Sequence, residues 1–154
     1  IKMSDNIEIR IDNKAVEDAL LNVASKCEDL KPLMKNIAGI MADAVEENFE
    51  NEGRPDKWQE LAESTIKHRK KTRHWPGRIL QVEGQLATSI TTQYDNESAV
   101  IGSNLAYAAI HQLGGQAGKG KKVTIPARPY LDLTENELIS IKNTVLSYTL
   151  KINS

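Results

Sequence analysis

The sequence predicts an α+β fold: two long N-terminal helices, a small antiparallel sheet in the second half and a C-terminal helix. Three observations carry that prediction. Apolar residues recur at helical spacing from Leu33 through Met34, Ile37, Ala38, Met41, Ala42, Val45 and Phe49. A polar turn, Asp95–Ser98, follows an alternating segment with Ile90, Thr92 and Tyr94 and precedes Val100 and Ile101, as in a β-hairpin. Thr134 and Glu137 stand three apart ahead of an apolar stripe, the arrangement of a capping box that opens a helix.

The elements follow in order. Ile7, Ile9 and Ile11 alternate with Glu8, Arg10 and Asp12, so Asn6–Asp12 reads as a half-buried strand. Asp12 or Asn13 can cap the first helix, whose apolar residues are Val16, Leu20, Leu21, Val23 and Ala24. Pro32 suits the first turn of the second helix, which ends near Asn51 with Asp43, Glu46, Glu47 and Glu50 facing outward. Gly53 and Pro55 break the chain before "WQELAESTIKHRKKT", whose first half has helical character and whose second half is a charge run. Residues 67–82 are expected to be a long loop, and long structureless segments inside a compact domain are often binding segments. The segment "AYAAIHQL" reads as a short helix, residues 114–122 as a glycine-rich loop, and "KVTIPARPYLDL" as an extended segment that Pro126 and Pro129 keep at a sheet edge. Leu138, Ile141, Val145 and Tyr148 form the buried stripe of the last helix.

The chain has 154 residues, the length of a single domain spanning 1–154. Hydrophobic residues make up 40% but aromatic ones only 5%, so the core must come mostly from aliphatic side chains. Cys27 is the sole cysteine, which excludes an internal disulfide and fits a reducing compartment. No apolar run approaches the roughly 20 residues that span a bilayer, and "IKMSDN" has no apolar signal region. The expectation is a soluble protein made in a cytoplasm, with no membrane partner. Charge is unevenly spread. Residues 1–66 hold 8 Lys and Arg against 15 Asp and Glu, whereas residues 67–128 hold 10 against 3. An acidic first half and a basic middle favour head-to-tail association between copies, or a partner of one charge sign.

Candidate chemistry is sparse. Gly115 to Lys121 matches the Gly-x4-Gly-Lys pattern of a phosphate loop, but Lys122 stands where Ser or Thr should hold Mg²⁺. A helix is expected before it and a strand after it, the reverse of the order that aims backbone amides at phosphate. The bland reading, a solvated loop with Lys119, Lys121 and Lys122, is preferred. His111 lies on the short apolar helix with no nucleophile motif beside it, so packing or hydrogen bonding is its expected role. His68 and His74 lie among cations with no carboxylate or thiolate to complete a metal site. No cofactor or metal ion is expected. The basic run "KHRKKTRHWPGR" is the stronger candidate: Lys67, Arg69, Lys70, Lys71, Arg73 and Arg78, with Trp75 interleaved, could hold an acidic protein surface or single-stranded nucleic acid.

Four segments, in order, carry a resemblance. They are "WQELAEST" with Trp58, Leu61 and Thr65; "ILQVEGQLATSI" with Leu80, Gly84, Leu86, Ser89 and Ile90; "VIGSNLAYAAIHQLGG" with Gly102, Tyr107, Ala108, His111, Gln112 and Gly114; and "IPARPYLDL" with Pro126, Arg128 and Pro129. Together they resemble the phage virion morphogenesis family, the tail completion proteins of Mu-like and P2-like phages. Asp132 departs from the pattern, where glycine is common. The resemblance implies a non-enzymatic virion protein of phage or prophage. It would complete the tail and prepare it for joining to the head, associate with itself as a ring, and contact tail tube and head-connector proteins. Its places would be the bacterial host cytoplasm during assembly and then the virion. Nucleic-acid binding through residues 67–78 is the alternative. The motif also suggests a structural unit in which "IHQLGG" packs on "IPARPYL", with His111 and Gln112 bonding the proline segment's backbone and Arg128 pointing to a fixed carboxylate or carbonyl.

Overall fold

A computed structural model describes residues 12–154. The strand expected at Asn6–Asp12 falls on residues 1–11, outside the described part, apart from Asp12, which has no strand geometry. Six helices and two small antiparallel ladders follow one another: α1 Lys14–Ala24, α2 Lys31–Glu50, α3 Glu63–Lys71, α4 Gln85–Thr88, β1 Ile90–Tyr94, β2 Ala99–Ser103, α5 Ala108–Leu113, β3 Gly115–Ala117, β4 Val123–Ile125 and α6 Glu135–Ile152. The fold is mixed α+β.

The N-terminal helices start where capping chemistry directs. Asn13 is extended and its Oδ1 accepts from Val16 N at 3.1 Å. The N-terminus of α2 has Pro32 in its first turn and is capped from a distance: Asn96 Oδ1, in the β1–β2 turn, accepts from Lys31 N at 2.9 Å. That bond seats the hairpin on α2. The hairpin pairs Ile90 with Ser103 and Tyr94 with Ala99, and Asp95 Oδ1 closes its turn by accepting from Glu97 N and Ser98 N. At α6 the capping box is complete, with the Glu137 carboxylate accepting from Thr134 N at 2.7 Å.

Three expectations are corrected. The first five residues of the predicted 67–82 loop are helical, since Lys67–Lys71 form the end of α3. Glu63 stands in the first turn and His68, Arg69, Lys70 and Lys71 in the last, the polarity that the helix dipole favours. The charge run is therefore a helix terminus. The predicted 114–122 loop is ordered as a second hairpin, with Gly115 opposite Ile125 and Ala117 opposite Val123, closed by a 3₁₀ turn at Lys119–Lys121. Gly118 and Gly120 take positive φ there and permit the tight reversal. Among the described residues the strands form two separate two-stranded ladders where one small sheet was expected. The short α4 was not anticipated.

The core has two centres strung along α2. Its first half packs Leu33, Met34 and Ile37 against Ala19 and Val23 of α1 and Ile141 and Val145 of α6. Its second half packs Val45 and Phe49 against Trp58, Ile79, Leu86, Ala108, Tyr130 and Leu131. Phe49 anchors the second centre, with Trp58 edge-on at 5.8 Å and Tyr130 tilted at 5.3 Å. Burial of each such ring contributes roughly 1.5–3 kcal/mol.

Candidate functional site

The segment Arg128–Asp132 runs through the second core centre without a strand partner. Buried backbone groups must be paired, and here side chains from distant elements pair them. Trp58 Nε1 donates to Pro129 O at 3.1 Å. Gln112 Oε1, on α5, accepts from both Tyr130 N at 2.9 Å and Leu131 N at 3.0 Å. Asn48 Nδ2, on α2, donates to Tyr130 O at 3.0 Å and Asp132 O at 2.9 Å. Tyr130 Oη returns a bond to Ala108 O at 2.9 Å. Burial pushes the Tyr130 hydroxyl up to about 12, so it remains a donor throughout the neutral range.

Asn48 and Arg128 are held in turn. Asn48 is fully buried, and its Oδ1 accepts from Arg54 Nε at 3.0 Å. Arg54 also reaches Ala44 O, Glu47 and Glu137, tying the 51–58 turn to α2 and α6. Arg128 points to carbonyls: its Nε and Nη2 donate to Gln59 O and Glu60 O at 3.0 and 3.1 Å. Arg128 N donates to His111 O at 2.8 Å.

Gln112 thus bonds the proline segment through its side chain, and His111 through its main-chain carbonyl. The imidazole does something else. Its Nδ1 is buried without a partner, and the edge-on Tyr107 ring lies 5.9 Å away. Burial first, and the Arg128 charge second, hold the His111 pKa below its ordinary 6.5. Among the described residues no carboxylate hydrogen-bonds this ring to make it a catalytic base.

The lowered value has a stability consequence. Below about 6.5 the unfolded chain takes up a proton at this position that the folded chain does not, so stability present above that pH is lost on acidification. The melting temperature of the wild type is expected to fall between about pH 7 and 5, and His111→Gln to flatten part of that fall. Identical profiles for the two proteins would show that the ring carries no such linkage.

The remaining motif residues take structural places. Gly84 begins α4 at φ 71° and ψ 6°. Tyr107 is exposed, its hydroxyl 3.3 Å from Gln85 Oε1. Pro126 and Pro129 flank Arg128 where the chain leaves β4. Gly114 ends α5 against the backbone of Ala127.

The predicted basic site is divided. Lys67, Lys70, Lys71, Arg73, Trp75 and Arg78 are exposed, but Arg69 is buried at 7% exposure and its Nη1 donates to Arg78 O at 2.9 Å. Arg69 therefore does not belong to the outer basic surface, because it lies on the inner face of α3, one turn on from Ile66. Lys119, Lys121 and Lys122 are exposed at the second hairpin's tip. No helix follows that tip to build a phosphate loop, and β4 comes next. Among the described residues no three His, Cys, Asp or Glu side chains gather as a metal set, and no described helix is long and apolar enough to cross a membrane. Sequence reasoning missed Asn48 and Arg54. Asn48 had a signal, a polar residue seven after Met41 on the apolar stripe. Arg54 had none.

The motif residues brace one stretch of backbone in an α+β chain, and charged side chains lie outside. The phage virion morphogenesis family model matches residues 11–149, and the chain belongs to that family. It is 43% identical over 143 residues to the Mu-like prophage FluMu G protein 2 of Haemophilus influenzae, covering 92% of this chain and 95% of that one. It is 33% identical over 135 residues to the putative capsid assembly protein G of Escherichia phage Mu, with 85% and 86% covered. The FluMu G protein 1 of H. influenzae is 30% identical over 141 residues, with 89% and 90% covered. No solved structure matches. The chain is a phage-type virion morphogenesis protein with a structural role.

Proposed function

We propose that this chain completes the phage tail and readies it for joining to the head. It acts by associating with copies of itself in a ring and by contacting tail tube and head-connector proteins. Assembly takes place in the host cytoplasm, and the product stays in the virion. The supporting observation is a pair of surface clusters of opposite charge sign. Asp43, Glu46 and Glu50 are exposed on α2, and Lys67, Lys70, Lys71, Arg73 and Arg78 on α3 and the loop after it. Among the described residues none of these eight forms an ion pair within the chain. Complementary faces on one molecule are satisfied by a neighbouring copy, and such charges set register and association rate.

The test is sedimentation over a concentration series, with and without purified tail tubes. Lys70→Glu with Lys71→Glu is expected to weaken self-association by about tenfold or more, most strongly at low salt. Adding Glu46→Lys with Glu50→Lys is expected to restore it. Unchanged association in all variants removes this reading. Trp75 among the same cations favours one rival, single-strand binding. Nucleic-acid binding that weakens steeply with salt, and is lost in the lysine variant while association persists, would put that rival in its place.

A further inference from the structure

The two arginines withdrawn from the surface share one groove. Arg69 and Arg128 are 7% and 5% exposed, and both line a cavity of about 400 Å³ between α3, α4 and β4. That volume lies in the range of ligand pockets. Three backbone carbonyls accept from the two guanidiniums. Carbonyls satisfy donors but do not cancel charge. Among the described residues no Asp or Glu forms an ion pair with either arginine. Glu52 attracts Arg69 without forming an ion pair with it, and its Oε1 accepts from Ile79 N at 2.6 Å. Glu83 lines the groove, exposed and bonded to Gln85. Each guanidinium carries five N–H donors, of which Arg128 uses two and Arg69 one within the chain.

Buried charges are ordinarily paired. Here two go without a partnered carboxylate, and the orphaned His111 Nδ1 belongs to a ring that lines the same groove. The walls around them include Leu61, Leu80, Val123 and Ile125, so an anion that enters meets apolar surface beside the guanidiniums, which lowers its hydration and strengthens the interaction relative to an open surface.

We infer that this groove receives a carboxylate from an acidic, apolar-flanked segment of a partner protein, with Arg69 and Arg128 as its cationic floor. Guanidiniums grip carboxylates through paired N–H bonds, and the apolar walls take the flanking side chains. A nucleic-acid backbone is held by exposed cations, whereas these two are buried. The inference rests on the reading of the chain as a protein-docking component.

The experiment is an NMR titration of the full chain with the peptide acetyl-Leu-Glu-Leu-amide. Saturable shifts are expected at the Arg128 Nε and His111 ring signals, together with a rise in the His111 pKa as the anion offsets the arginine charge. The glutamine counterpart, acetyl-Leu-Gln-Leu-amide, is expected to bind at least about tenfold more weakly. Thr65→Trp fills the groove from an exposed wall position without touching either guanidinium's partners. It is expected to abolish the shifts and keep the wild-type melting temperature. Arg69→Gln is the second variant and should lose the preference for the acidic peptide. Equal binding of the two peptides would reduce the groove to an apolar cleft and overturn the inference. So would a DNA duplex that moves these signals when the acidic peptide does not. Sedimentation of the same samples reads self-association separately, so failure here and failure of the docking reading are distinguishable.

Discussion

Asn48→Leu is expected to destabilise the protein by about 3–5 kcal/mol, in proportion to the buried groups it leaves unpaired. Leucine has the branching of asparagine but is bulkier, so the change removes hydrogen bonds, opens no cavity and adds some overpacking. Tyr130 O, buried, and Asp132 O, part-buried, lose their donor, and a buried acceptor left alone costs roughly 1–3 kcal/mol. Arg54 loses one acceptor but keeps Glu47, Glu137 and Ala44 O, so its share is small. For a domain of this length the total lowers the melting temperature by roughly 10 °C. Asn51→Ala is the control: its Nδ2 bonds Glu47 O from an exposed position, and the expected change is within about 0.5 kcal/mol. Thermal and urea unfolding of both variants decide the matter. A leucine variant that melts within about 2 °C of the wild type would mean that the brace is not held from α2.

The long helices were legible because local chemistry specifies them. The stripe from Leu33 to Phe49, the Asn13 cap and the Thr134–Glu137 box all act within a few residues. The Asp95–Ser98 turn likewise closes on itself. What was hidden depends on which distant residues meet. Asn48 reaches carbonyls 82 and 84 residues away, and no spacing rule encodes such a partner. The β3 strand is Gly-Gln-Ala, with no strand preference of its own, and it exists because β4 pairs with it. The basic run was misread for another reason. A list of cations does not say which face of a helix each takes, although Ile66 and Arg69, three apart, share one side of α3. The groove beside Arg69 could not be read at all, since its walls come from four separated segments.

The resemblance motifs acquire a physical meaning in this arrangement. Trp58 comes from the first motif, Gln112 from the third, and the strand-less segment they hold is the fourth. Leu86 of the second packs into the same core centre. Residues scattered over some seventy positions thus satisfy one stretch of backbone.

Gly114→Ala is expected to be the second most damaging change, at about 3 kcal/mol or more. The position has φ 71° and ψ 175°, a region that essentially only glycine occupies. A Cβ there would lie 2.7 Å from Ala127 N and 3.0 Å from Ile125 O. Both are backbone atoms, so neither can swing aside as a side chain does, and α5 must part from the segment after β4. The bond from Arg128 N to His111 O spans that same approach, so Arg128 is expected to lose amide-exchange protection well before the α1–α2–α6 centre does. Gly84→Ala is the milder reference. It has the same φ of 71° but ψ 6°, and nothing within 4 Å of the added carbon, so it pays left-handed strain alone, roughly 1–2 kcal/mol. If the two alanine variants lose equal stability, backbone contact at Gly114 contributes nothing, and the packing of "IHQLGG" on "IPARPYL" cannot be what demands glycine. A difference of about 2 kcal/mol, accompanied by early loss of exchange protection at Arg128, assigns that requirement to the junction between α5 and the braced segment.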